Sequence, residues 1–80
     1  MITPAQCRAA RSLIRWSQDD LAANSEVGVA AIRTFEAESA SPRRATVAAL
    51  QRALEAAGII FIAENGEGPG VRLRKSTGTE

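Results

Sequence analysis

The sequence predicts a mainly helical domain of four short helices closed by a C-terminal β-hairpin. Three observations predict it. Apolar residues recur at helical spacing through the first 57 positions, helix-starting and helix-ending residues divide that stretch into pieces, and two short β-rich runs follow Gly58 with a turn-forming segment between them.

The first helix starts at Thr3-Pro4. Thr3 is a good N-cap, Pro4 suits the first helical position, and Gln6 completes a capping box. Cys7, Ala10, Leu13 and Ile14 share its apolar face, so it should run to about Ile14. The second helix starts at Ser17, again with a capping box through Asp20, and Asp19 and Asp20 favour the positive end of the helix. Leu21 and Ala22 point inward, and the helix should end near Asn24. The third helix covers about Gly28 to Glu38. Ala31, Ile32 and Phe35 lie on one face and Val29, Ala30, Arg33 and Thr34 on the opposite one, so one set packs and the other looks out. Pro42 breaks the chain. The fourth helix runs from about residues 43–46 to Ala57, with Val47, Leu50, Leu54 and Ala57 inward and Gly58 as its stop. Ile59 to Ala63 and Val71 to Arg74 read as strands, and residues 64–70 as the turn of a hairpin. Residues 76–80 read as a disordered tail.

Eighty residues suffice for one modest core. Aromatic residues are limited to Trp16, Phe35 and Phe61, so Ala, Leu, Ile and Val must fill that core, and Trp16 is expected at a helix junction. Cys7 is alone, cannot form an internal disulfide, and is expected to be buried and structural. No apolar run is long enough to span a membrane, and the N-terminus lacks a signal-peptide core. The expectation is a soluble, cytoplasmic protein. The net charge is only +1, which by itself does not argue for nucleic acid; nine of the ten basic residues are Arg, however, the residue suited to bidentate contacts with phosphates and bases. Histidine is lacking, which excludes Ser–His and Cys–His nucleophile systems. No cluster has metal-ligand spacing. Gly66, Gly68 and Gly70 do not make a phosphate loop, because neither Lys-Ser/Thr nor a helix follows them. An enzyme, a metal and a cofactor are therefore not expected.

Two short helices joined by Ser25–Val27 form the core of a helix-turn-helix. The stretch Trp16-Ser17-Gln18-Asp19-Asp20-Leu21-Ala22, then residues 27–36 closing on Ile32-Arg33-Thr34-Phe35-Glu36, then Pro42 and residues 46–54, resembles the phage-repressor or Cro-like (XRE) helix-turn-helix family. The resemblance covers about residues 3–60. It implies a repressor-like DNA-binding domain over residues 1–58; the hairpin of residues 59–75 is the candidate for dimerisation on a separate ground, because its strands are short, partly apolar and offer free edges. By that resemblance Gln18 matches a phosphate-touching glutamine, and Val29, Ala30, Arg33 and Thr34 match positions that face base edges. Those four are also the outward face given by periodicity. Arg43 and Arg44 are expected near backbone phosphates, and Arg11 and Glu36 match an arginine and a glutamate that pair between the first and third helices. Arg15 is a further candidate for phosphate contact. Arg72, Arg74 and Lys75 read as a charged edge that deters aggregation.

The sequence departs from the family pattern at Glu26 and Glu38, where glycines are expected. Glu26 is expected in a left-handed backbone conformation, and both residues add negative charge near the DNA side. Gly28 replaces the usual Ser or Thr N-cap. The implied function is a sequence-specific transcriptional regulator, a repressor acting as a homodimer on double-stranded DNA. Two other readings stand beside it: a protein-interaction module that kept the fold, and an antitoxin that binds a second protein as well as DNA.

Overall fold

A computed structural model describes residues 1–75; the expectation for residues 76–80 lies outside the described residues. The chain forms α1 (Pro4–Leu13), α2 (Gln18–Ser25), α3 (Val29–Glu36) and α4 (Arg44–Ala56), followed by β1 (Ile59–Ile62) and β2 (Gly70–Leu73). The strands pair antiparallel, with Ile59 opposite Leu73, Ile60 opposite Arg72, Phe61 opposite Val71 and Ile62 opposite Gly70.

Local chemistry explains where the helices begin. The Thr3 hydroxyl accepts from the Gln6 N–H at 3.0 Å, and the Gln6 side chain accepts from the Thr3 N–H at 2.8 Å. Ser17 and Asp20 make the same reciprocal pair at 3.0 and 2.9 Å. Each box satisfies two N–H groups that a helix start leaves without intrahelical partners.

The helix ends are less conventional. After α1 the Trp16 N–H reaches back to the Arg11 carbonyl and the Arg15 N–H to that of Ser12; after α3 the Ser39 N–H reaches Thr34 and the Glu38 N–H reaches Phe35. Both are Schellman closures, which require a left-handed residue at the first position beyond the cap. Arg15 (φ 60°) and Glu38 (φ 58°) supply it, and Glu26 (φ 62°) closes α2. Glu26 thus adopts the conformation expected of it, while the same conformation at Arg15 and Glu38 was not anticipated.

The core joins all four helices and the hairpin. Cys7 and Ala10 of α1, Leu21 of α2, Ile32 and Phe35 of α3, Val47, Leu50 and Leu54 of α4, and Ile59 of β1 are buried, with Ile2 beside them. Ile14, Trp16, Ala22, Val27, Phe61 and Val71 pack against this cluster. At about 25 cal/mol per Å² of apolar area removed from water, such contacts supply the main stabilisation. The hairpin is tied to α1 by the Gln6 amide, which donates to the carbonyls of Gly70 (2.8 Å) and Ile62 (3.2 Å). Two expected core positions are corrected. Leu13 is 44% exposed, because α1 ends there and the chain turns away before its side chain meets a neighbour. Ala31 is exposed, because the buried stripe of α3 runs through Ile32, Phe35 and Glu36 instead. No helix among the described residues is long and apolar enough to cross a membrane.

Candidate nucleic-acid interface

Helices α2 and α3 are joined by a tight connection. Glu26 turns left-handed, the Ser25 hydroxyl accepts from the Val27 N–H at 3.2 Å, and Gly28 is extended, its carbonyl accepting from the N–H groups of Ala31 and Ile32. Gly28 offers no side-chain cap, so the start of α3 depends on packing more than on local hydrogen bonds.

That packing fixes which face of α3 looks out. With Ile32, Phe35 and Glu36 buried, Ala30, Arg33 and Thr34 are exposed and Val29 is half-buried. The Thr34 hydroxyl donates to the Ala30 carbonyl at 2.9 Å, which leaves its lone pairs and methyl group turned outward. The Arg33 side chain has no ion-pair partner among the described residues. Ala30, Thr34 and Arg43 line one groove of about 330 Å³ between α3 and the start of α4, together with Ala31, Pro42 and Thr46. Arg43 is the N-cap of α4 and Arg44 its first residue; both are exposed, and Arg43 makes no capping hydrogen bond through its side chain. Val29, Arg33, Arg44 and Gln18 lie outside that groove.

The Glu36 carboxylate anchors the arrangement from behind. Arg11 donates to it twice, from Nε to Oε2 at 2.8 Å and from Nη2 to Oε1 at 2.7 Å. The third Arg11 nitrogen donates to the Trp16 carbonyl at 3.0 Å. The Cys7 thiol donates to Oε2 at 3.1 Å, and the Gln18 amide to Oε1 at 3.0 Å. Burial pushes the Glu36 carboxyl up, but these hydrogen bonds and the Arg11 charge outweigh it and hold the group below its ordinary value. The Cys7 thiol is pushed up, first by burial and then by its hydrogen bond to Glu36 and the carboxylate charge, so it stays protonated. This carboxylate therefore links α1, the start of α2 and the end of α3.

Gln18 is held inside the cluster as well as at the entry of α2. One of its amide hydrogens is spent on Glu36; the other and the amide oxygen remain. The tie to Glu36 was invisible to sequence reasoning, as were the donors from Cys7 and Arg8. Arg8 donates to the Glu36 carbonyl and lies 3.9 Å from the Glu38 carboxylate. The helical spacing of Arg8 and Arg11 was a usable signal, since both meet the C-terminal end of α3. Arg15 lies beyond α1 on its left-handed turn and is exposed. Among the described residues no group of three or more His, Cys, Asp or Glu could hold a metal ion. No protein-family model and no curated protein matches the chain.

Proposed function

We propose that the chain is a sequence-specific transcriptional regulator of double-stranded DNA, a repressor that acts as a homodimer, with α3 as the helix that enters the major groove. The outward face of α3 carries this reading. Arg33 stands exposed without an ion-pair partner, between Ala30 and Thr34, on a helix whose opposite face is fixed by Ile32, Phe35 and the Glu36 cluster. A guanidinium displayed in this way suits the paired acceptors of guanine, and Val29 and Ala30 suit thymine methyl groups. Thr34 offers acceptor lone pairs to a base edge. Gln18, Arg43 and Arg44 serve as phosphate contacts that set the register of α3.

The reading is of a binding protein rather than an enzyme, and it needs no cofactor. Two copies would read half-sites about 10 bp apart, on one face of the duplex. Regulation would follow from occupancy of the site.

The test is affinity for duplex DNA as salt is varied. With two cations per protomer on phosphates, Arg43 and Arg44, binding of the dimer should fall roughly a hundredfold between about 50 and 200 mM salt. Weak binding with a flat salt response would defeat the proposal and favour a protein-interaction module. Co-purification of a second protein with salt-dependent DNA binding retained would favour the antitoxin reading.

A further inference from the structure

The two edges of the hairpin differ, and we propose that two copies of this chain associate through the β1 edge, by antiparallel β1–β1 pairing that joins their hairpins into a four-stranded sheet. This deepens the homodimer of the proposed function and rests on that reading, but its test uses no DNA.

The backbone shows which groups are free. The Arg74 N–H donates to the Gly58 carbonyl, and the register places Ile60 opposite Arg72 and Ile62 opposite Gly70. The Gly58 carbonyl and the backbone groups of Ile60 and Ile62 therefore turn toward β2, while the Gly58 N–H donates to the Glu55 carbonyl. By the alternation of an antiparallel ladder, those of Ile59, Phe61 and Ala63 turn away from it. Ile59 is fully buried, which closes its part of the edge. Phe61 is half-buried and Ala63 exposed, and neither backbone has a hydrogen bond outside the ladder among the described residues. A cleft of about 180 Å³ lies alongside, lined by Met1, Ile2, Gln6, Gln51, Phe61 and Ala63, with Met1 73% exposed at its rim.

Charge selects the edge and the partner. From Ile59 to Ala63 there is no charged side chain, whereas β2 and its continuation carry Arg72, Arg74 and Lys75. A second β2 laid on β2 would oppose like charges, which is unfavourable; a second β1 meets only apolar residues. Pairing Phe61 with Ala63 of the partner subunit satisfies the N–H and C=O groups of both residues in each copy. It also sets Ile62 against Ile62 of the partner subunit across the two-fold axis, on the face away from the core. Glu64 then lies opposite Ile60 of the partner subunit, whose ladder partner is Arg72. Glu64, whose carboxylate accepts from the N–H groups of Gly66 and Gly68 in its own turn at 2.8 and 3.1 Å, and Arg72 thus flank one isoleucine with opposite charges, and the contact repeats on the other side of the axis, as an isologous interface requires.

The experiment is sedimentation equilibrium of the full chain without DNA, combined with oxidative cross-linking. Ile62 faces its own symmetry mate as a non-hydrogen-bonded pair, with Cα atoms about 4.5 Å apart, within disulfide range. Ile62→Cys should give a covalent dimer under mild oxidation, and Arg72→Cys on β2 should not; the unmodified chain, whose Cys7 is buried, serves as the blank. Ala63→Pro removes an N–H from the open edge without touching the ladder, and should raise the dimer dissociation constant about tenfold or more. A chain that stays monomeric at all concentrations, or cross-linking by Arg72→Cys but not Ile62→Cys, would overturn the proposal. A dimer without salt-dependent DNA binding keeps this interface and removes the DNA reading; a monomer that binds DNA does the reverse.

Discussion

Arg11 grips the Glu36 carboxylate with two parallel hydrogen bonds of 2.8 and 2.7 Å, joining the last turn of α1 to the last turn of α3. The side chain of Glu36 is 3% exposed and that of Arg11 18%, so the pair is largely out of water. A buried pair of this kind is not a large net source of stability, but removing one partner leaves the other charged and unpaired. Its geometric effect is direct: it sets the end of α3 that the proposed DNA-reading face depends on.

Arg11→Ala should therefore destabilise the fold by about 3 kcal/mol, at the lower end of what breaking a buried pair costs, because Cys7 and Gln18 still donate to the carboxylate. For a domain of this size that lowers the melting temperature by roughly 12–24 °C. Urea titration followed by far-UV circular dichroism checks it, with the exposed Arg52→Ala expected to stay within about 0.5 kcal/mol of the unmodified chain.

Acid should act on the same carboxylate. Glu36 has a folded-state pKa below its ordinary value near 4.5. The stability it contributes is fully present above that ordinary value and is lost as pH falls through the lower folded value. Between about pH 5 and pH 2 the unmodified chain should lose more stability than Glu36→Gln, which has no carboxyl to protonate at that position. Parallel acid dependence of the two proteins would remove Glu36 as the cause.

Glu26 occupies a left-handed position with φ 62° and ψ 22°. For a residue with a Cβ this costs roughly 1–2 kcal/mol, part of which a glycine returns as lost chain entropy. Glu26→Gly should raise stability by about 0.5–1 kcal/mol in the same urea assay. It also removes a negative charge from the connection into α3, so affinity for duplex DNA should rise and not fall.

Much of the fold was legible in the sequence because its signals are local. Thr3 with Gln6 and Ser17 with Asp20 mark helix starts within four residues of chain, and Val47, Leu50 and Leu54 mark a buried stripe by spacing alone. What escaped depends on tertiary contact. Whether Leu13 is buried is decided by where the chain turns after α1. Whether Ala31 or Glu36 completes the inner face of α3 is decided by Arg11, which sits 25 residues earlier and makes a buried carboxylate tolerable. The left-handed turns at Arg15 and Glu38 follow from Schellman closure, which no glycine announces here. For the candidate interface, periodicity placed Ala30, Arg33 and Thr34 outward, as observed. The tie between Gln18 and Glu36 spans 18 residues and carries no local signal.

The central claim is that α3 reads DNA sequence through Arg33. Selection of bound sequences from a random duplex pool, run in parallel for the unmodified chain and Arg33→Ala, tests it most directly. The expected result is a palindromic motif with half-sites about 10 bp apart for the unmodified chain, and loss of the preferred base at one position per half-site in Arg33→Ala, with its helical circular dichroism intact. The same motif enriched equally by both proteins would contradict the claim.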